Sequence, residues 1–86
     1  MIFTRRDVEL GEKARSVVEN EAYKNAIVTV RSSYVESLIN TAEDESTKRE
    51  KAYMAIRMLE EVEAQLVSVM DEGKLAKQYL DKLNRR

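Results

Sequence analysis

A run of 27 residues, from Ser46 to Glu72, contains neither glycine nor proline, and it constrains the fold more than any other segment. Apolar side chains recur along it at intervals of three or four residues, which places them on one face of a helix. They are Ala52, Ile56, Leu59, Val62, Leu66 and Met70. The pattern predicts a helix roughly 40 Å long, against which the rest of the chain packs.

The residues before this run predict two further helices. The first spans about 5–19, with Thr4 as its N-cap and Asp7 as the capping-box partner. Gly11 indicates a bend or the close approach of a neighbouring helix, because glycine costs roughly 1 kcal/mol relative to alanine inside a helix. Asn20 caps a second helix over about 21–41. Its predicted buried face consists of Tyr23, Ala26, Ile27, Val30, Tyr34, Leu38 and Ile39, widened by Val28 and Val35.

The two ends of the long helix are less sharply marked. Asp44 or Ser46 is a suitable N-cap after the short acidic connection. Gly73 is a suitable C-cap, in which case the helix covers about 46–72 and a short helix follows over 75–83. The alternative is one helix that continues through Gly73. The predicted fold is all-α: an antiparallel helical hairpin of two long helices, with a shorter N-terminal helix and a short C-terminal helix or extension.

The composition limits what the protein can do. The 86 residues suit a single domain over 1–86, and they include no cysteine and no histidine. Thiol chemistry is therefore excluded, and the commonest general base and metal ligand are missing. The formal net charge of −1 gives no overall attraction to nucleic acid or to an anionic membrane. No apolar run suits a membrane span or a signal peptide, so we expect a cytoplasmic protein.

The acidic clusters do not predict a reaction. The first, Glu43 to Glu45, lacks the glycine and the spaced oxygen ligands of a calcium loop. The second, Glu60 to Glu63, straddles a helix, so its carboxylates do not converge. No serine has a histidine partner. We predict a non-enzymatic protein with no catalytic residue, no cofactor and no metal site.

Apolar residues also lie outside the main stripe of the long helix, which indicates a second packing partner. The residues that we expect at such an interface are Val28, Val35, Met54, Met58 and Val69. They predict a homo-oligomer, or a subunit that docks on a larger assembly. The alternative is a monomeric three-helix bundle, in which the first helix covers the second apolar side.

One cluster of basic and aromatic residues suggests a different function. Lys48, Arg49 and Tyr53 lie within two helical turns and combine cations with a ring that stacks on a base. They form a candidate anion or nucleotide site between subunits. Binding to nucleic acid is the weakest prediction, because acidic residues are interleaved with nearly all the basic ones.

Three segments in order resemble a known group of proteins. They are R-R-D-V-E-L-G-E-K-A-R-S-V-V-E-N-E-A-Y, T-A-E-D-E-S-T-K-R-E-K-A-Y and E-A-Q-L-V-S-V-M-D-E-G-K-L-A-K. The set resembles small uncharacterised helical proteins of tailed bacteriophages and prophages, often encoded among head and packaging genes. The resemblance implies a phage protein in the host cytoplasm or the virion. Its expected partners are copies of itself or phage structural proteins, and a host defence factor is the alternative.

Overall fold

The computed structural model describes residues 2–85, and these form three α-helices. Helix α1 spans Arg5–Glu19, α2 spans Glu21–Asn40 and α3 spans Ser46–Asn84. The all-α prediction is confirmed, and α1 has the bounds that the sequence pattern predicts. Helix α2 ends one residue earlier than predicted.

Side-chain caps fix the starts of the first two helices. The Thr4 hydroxyl accepts a hydrogen bond from the Asp7 N–H at 3.3 Å, and the Asp7 carboxylate accepts one from the Thr4 N–H at 2.7 Å. This capping box satisfies backbone groups that the first helical turn leaves unpaired. Asn20 Oδ1 accepts a hydrogen bond from the Tyr23 N–H at 2.9 Å. The extended backbone of Asn20 separates α1 from α2.

The start of α3 differs from the prediction. Its N-cap is Glu45, whose side chain makes no capping hydrogen bond, so neither Asp44 nor Ser46 has the predicted role. The Glu45 carboxylate instead accepts a hydrogen bond from the Ala42 N–H at 3.1 Å. The Arg49 guanidinium donates to the carbonyl oxygens of Ala42 and Glu43, the latter at 3.0 Å. Contacts within the connection therefore hold this turn.

Helix α3 continues through Gly73, so the predicted end at residue 72 and the separate helix over 75–83 are wrong. Gly73 has ordinary helical backbone rather than the left-handed conformation of a C-cap. It meets Gly11 of α1: a Cβ atom on Gly11 would lie 2.7 Å from the Gly73 Cα and 3.2 Å from the Val69 carbonyl oxygen. The two glycines allow α1 and α3 to approach more closely than any side chain would permit.

Helix α1 lies against the C-terminal part of α3, and α2 lies against its N-terminal part. At one end, the rings of Phe3 and Tyr79 are 5.9 Å apart between centroids and inclined by 56°. Further along, Arg31 of α2 forms an ion pair with Glu63 of α3. Glu63 thus occupies the inner line of α3 where the sequence pattern predicts Val62, and the Val62 side chain is 52% exposed.

The inner line of α3 has a regular spacing. Buried or half-buried positions follow one another at alternating intervals of four and three residues: Ala52, Ile56, Leu59, Glu63, Leu66, Met70 and Gly73. This is the seven-residue repeat by which one helix keeps the same side toward a partner helix. Three consecutive repeats of α3 therefore face the other two helices of the same chain.

The three helices form a layer only one helix thick. The Cα atoms extend over 66 × 27 × 14 Å, and an α-helix with its side chains is about 10–12 Å across. Among residues 2–85, the buried hydrophobic positions are Ala14, Ala52 and Ala76, and no large side chain is fully buried. No residue of Glu21–Asn40 is fully buried. Of the predicted buried face of α2, Tyr23, Ile27 and Leu38 are half-buried, whereas Ala26, Val30, Tyr34 and Ile39 are exposed, so the prediction is wrong for these four.

The accessible surface agrees with this thin shape. It measures 6944 Å², whereas a compact monomer of 10.0 kDa is expected to expose about 5,200 Å². The excess is on the order of 1,700 Å². A stable protein–protein interface buries about 800 Å² on each partner, so the excess is large enough for one.

Candidate interaction surfaces

The layer has two broad faces, and α3 contributes apolar residues to both. Met58 lies on one of them, with Met54 and Val62 one turn away on either side. Val67 is nine residues from Met58, and at about 100° per residue it lies half a turn away on the opposite side of α3. We call these two surfaces the Met58 face and the Val67 face.

Helices α1 and α2 extend the Met58 face. Val8 and Glu12 of α1 line a groove with Lys74, which is seven residues from Val67 and therefore on the Val67 face. Leu10 lies two residues from both Val8 and Glu12, so its side chain is on the opposite side of α1 and belongs to the Met58 face. Tyr34 of α2 lines a second groove with Lys51, seven residues before Met58. The exposed apolar members of the Met58 face are Leu10, Val17, Val30, Tyr34, Met54, Met58, Val62, Leu75, Tyr79 and Leu83.

The Val67 face contains a groove of about 350 Å³ at the junction of all three helices. Its lining includes Val18, Ile27, Val28 and Val67, together with the Arg31–Glu63 ion pair. The Tyr23 hydroxyl is buried beside it, without a hydrogen-bond partner in the described chain. The groove is apolar with one charged edge.

The structure divides the five residues predicted to form an interface. Met54 and Met58 are adjacent on the Met58 face, with exposures of 62% and 64%. Val69 is half-buried on the same side of α3. Val28 lines the groove on the Val67 face, and Val35 lies seven residues further along the same face. The five residues therefore do not form one continuous surface.

Sequence reasoning did not select Leu75, Tyr79 and Leu83, which continue the Met58 face toward the end of α3. The assumed break at Gly73 separated them from Met54 and Met58. Their intervals of four residues were a usable signal, because they place all three residues on one side of a continuous helix.

The candidate anion residues do not converge. Lys48 forms an ion pair with Glu45, and Arg49 is bonded to the carbonyl groups of the connection. Tyr53 is 57% exposed and lies about 140° around α3 from Lys48. The two cations have partners within the chain, and Tyr53 lies on a different side from Lys48.

The ion pair perturbs both of its members. The hydrogen bond from Lys48 lowers the pKa of Glu45 below its ordinary value, and the Ala42 N–H bond adds to this effect. The same hydrogen bond, with the charge of Glu45, raises the pKa of Lys48. Lys48 is exposed and Glu45 is half-buried at the turn, and the two shifts indicate a local contact that holds the connection.

The remaining surface offers no stronger chemical site. A groove of about 300 Å³ where α1 crosses α3 contains Arg15, Lys74 and Lys77, with Glu12 among them. Within residues 2–85, no three acidic side chains are grouped as a metal site would require. None of the three helices described is long and apolar enough to cross a lipid bilayer.

Comparisons with known proteins add no family to this description. No protein-family model, no curated protein and no solved structure matches the chain at a significant level.

Proposed function

We propose that this chain is a non-enzymatic interaction protein that works as a homo-oligomer. Its unit is an antiparallel helical hairpin, in which α3 is one arm and the successive helices α1 and α2 are the other. The order of the contacts supports this arrangement, because Phe3, Gly11 and Arg31 meet Tyr79, Gly73 and Glu63, respectively. The resemblance adds the expectation that the assembly serves a tailed phage, in the host cytoplasm or in the particle.

The absence of an internal core carries the proposal. Over residues 2–85 the layer fully buries no large side chain, although its helices expose Val, Met, Leu and Tyr on both faces. Burial of apolar area is the main favourable term in folding, at roughly 25 cal/mol per Å². A second layer placed on this one would supply the burial that a single chain of this size lacks.

The first test is the mass of the wild-type protein in solution, measured by light scattering on a sizing column over a range of concentrations. We expect a mass that is a multiple of 10.0 kDa. A mass of one chain at every concentration, with full helicity, would overturn the proposal of self-assembly.

The substitution Met58→Glu tests the Met58 face directly. Because Met58 is 64% exposed within one chain, the change leaves the helix intact but places a charge in the proposed contact. We expect the dissociation constant to rise on the order of a hundredfold or more, with helicity by circular dichroism nearly unchanged. Val67→Glu is the matched control on the opposite face, and it should leave the mass unchanged. The reverse result would assign the interface to the Val67 face.

A further inference from the structure

Six exposed apolar residues of α3 on the Met58 face have a symmetric order, with Gln65 and Glu72 between them. Glu61 is also exposed in this stripe, but its counterpart, Ala76, is buried. The centre of this order is the point between Ser68 and Val69. Gln65 and Glu72 lie at the same number of residues from it, one on each side. Three apolar pairs follow at increasing distance, Val62 with Leu75, Met58 with Tyr79, and Met54 with Leu83. Each pair of residue numbers adds to the same total, so a twofold axis at the centre would bring each residue opposite its counterpart.

These residues also lie on one side of the helix. At about 100° per residue, all eight fall within roughly 70° of the direction that bisects Ser68 and Val69. All eight are exposed within the single chain. The stripe is therefore accessible to a partner along about 45 Å of α3.

We propose that a second copy of this chain docks on the Met58 face with its α3 antiparallel to the first α3, about a twofold axis near Ser68 and Val69. This inference rests on the proposed function and names the partner, the surface and the register. In this arrangement Met58 of one copy contacts Tyr79 of the other, a sulfur–aromatic contact that is favourable. Leu10 and Val17 lie on the same face and extend the contact beyond α3.

Charge decides between the two directions of pairing. In the antiparallel register each Gln65 amide donates a hydrogen bond to a Glu72 carboxylate of the other copy, and this happens twice by symmetry. A parallel pairing in register would place Glu72 against Glu72 inside the contact, where two like charges repel. Glu72 thus has a neutral donor opposite it in the antiparallel direction and its own copy in the parallel one. Glu61, the other exposed acid of this stripe, lies opposite position 76 in the antiparallel register and opposite its own copy in the parallel one.

The exposed area is compatible with this partner. The excess over a compact monomer, on the order of 1,700 Å² per chain, exceeds the roughly 800 Å² that each partner buries in an interface of standard size. Stacking two layers that are each 14 Å thick across their Cα atoms gives the cross-section of a four-helix bundle, with a shared core between the layers.

Single cysteines test the register cleanly, because the chain contains none of its own. Ser68→Cys lies beside the proposed axis and should form a disulfide-linked dimer under mild oxidation. Val67→Cys is adjacent in sequence but faces away, and it should remain unlinked at the same protein concentration. Met58→Cys should also remain unlinked, since the antiparallel register separates the two copies of residue 58 by roughly 30 Å along α3.

The polar pair provides a second, reversible test by light scattering. Gln65→Glu should raise the dissociation constant on the order of tenfold, because it sets a new carboxylate against Glu72 of the other copy. Adding Glu72→Gln should restore association, since the acid and the amide have then exchanged places. Linking by Met58→Cys, or association strengthened by Glu72→Gln alone, would overturn the antiparallel register. If the wild type is oligomeric and only Val67→Cys links, this surface is wrong while self-assembly stands.

Discussion

The two halves of α3 make different kinds of contact with the rest of the chain. Along its C-terminal half, α1 approaches until Gly11 and Gly73 touch, and Ala14 and Ala76 are buried beside them. Along its N-terminal half, α2 has no buried residue within Glu21–Asn40, and the Arg31–Glu63 ion pair is its most specific contact. One half is held by close packing of backbone, and the other by a polar bond between looser helices.

The two kinds of contact should contribute differently to the stability of the isolated chain. Where small residues are closely packed, an added methyl or methylene group has no space and lowers stability. A half-exposed ion pair is worth little, with a typical contribution between 0 and 1 kcal/mol. The α1 half should therefore be sensitive to substitution in the isolated chain, whereas the α2 half depends more on what covers it.

The largest effect within the chain is expected from Gly73→Ala. The new Cβ would lie 2.7 Å from the Gly11 Cα and 3.2 Å from the Asp7 carbonyl oxygen, so α1 must move away. Overpacking costs typically 1–3 kcal/mol, and the better helix propensity of alanine returns roughly 1 kcal/mol. We expect a net loss of up to about 2 kcal/mol in the free energy of unfolding, measured by urea denaturation at fixed protein concentration.

The matched control is Gln78→Ala, an exposed position of the same helix. It changes helix propensity alone and should alter the free energy of unfolding by less than about 0.5 kcal/mol. If Gly73→Ala were as stable as this control, the close crossing would not contribute to the fold, and the contrast between the two halves would disappear.

Features that depend on residues close together in the sequence could be predicted, and features that depend on another helix could not. Thr4, Asp7 and Asn20 cap helices through bonds to residues three positions away, so the sequence alone predicts them. Gly73 is different, because a C-cap and a close crossing both favour glycine. The decisive fact is Gly11 on another helix, more than 60 residues away in the chain.

The same limit explains the errors on the candidate surface. Glu63 takes the inner position predicted for Val62 because Arg31 of α2 lies opposite it, and no periodicity within α3 carries that information. Val28 and Val35 are apolar and exposed, as interface residues should be. Which face of the layer they occupy depends on the position of α3 relative to α2, and the sequence of α2 alone does not give that position. Met54 and Met58 could be grouped from the sequence because both lie on one helix.

A smaller effect is expected from the ion pair of the α2 half. The cycle of Arg31→Ala, Glu63→Ala and the double variant isolates the energy that couples the two side chains. Because their side chains are 34% and 38% exposed, solvent screens the pair, and we expect a coupling below about 1 kcal/mol. Urea denaturation of the four proteins gives this quantity. If the coupling were well above the loss caused by Gly73→Ala, the α2 half would contribute more to stability than the α1 half, contrary to our expectation.

The smallest effect should come from the turn that joins α2 to α3, where Lys48 and Glu45 form their ion pair. The pKa of Glu45 is lowered, so its contribution is present above its unfolded pKa and is lost as the pH falls through its folded value. The pKa of Lys48 is raised, so its contribution is present below its unfolded pKa and is lost as the pH rises through its folded value.

The pair therefore adds a contribution that stays constant across neutral pH and declines only at the acidic and alkaline ends. Thermal unfolding of the wild type and Glu45→Gln should give two curves of melting temperature against pH that run parallel from about pH 6 to pH 9 and converge in acid. The separation should be small, because both side chains meet solvent. Curves that diverge near neutral pH would require another titrating group at the turn, and the described structure places no candidate there: the sequence contains no histidine.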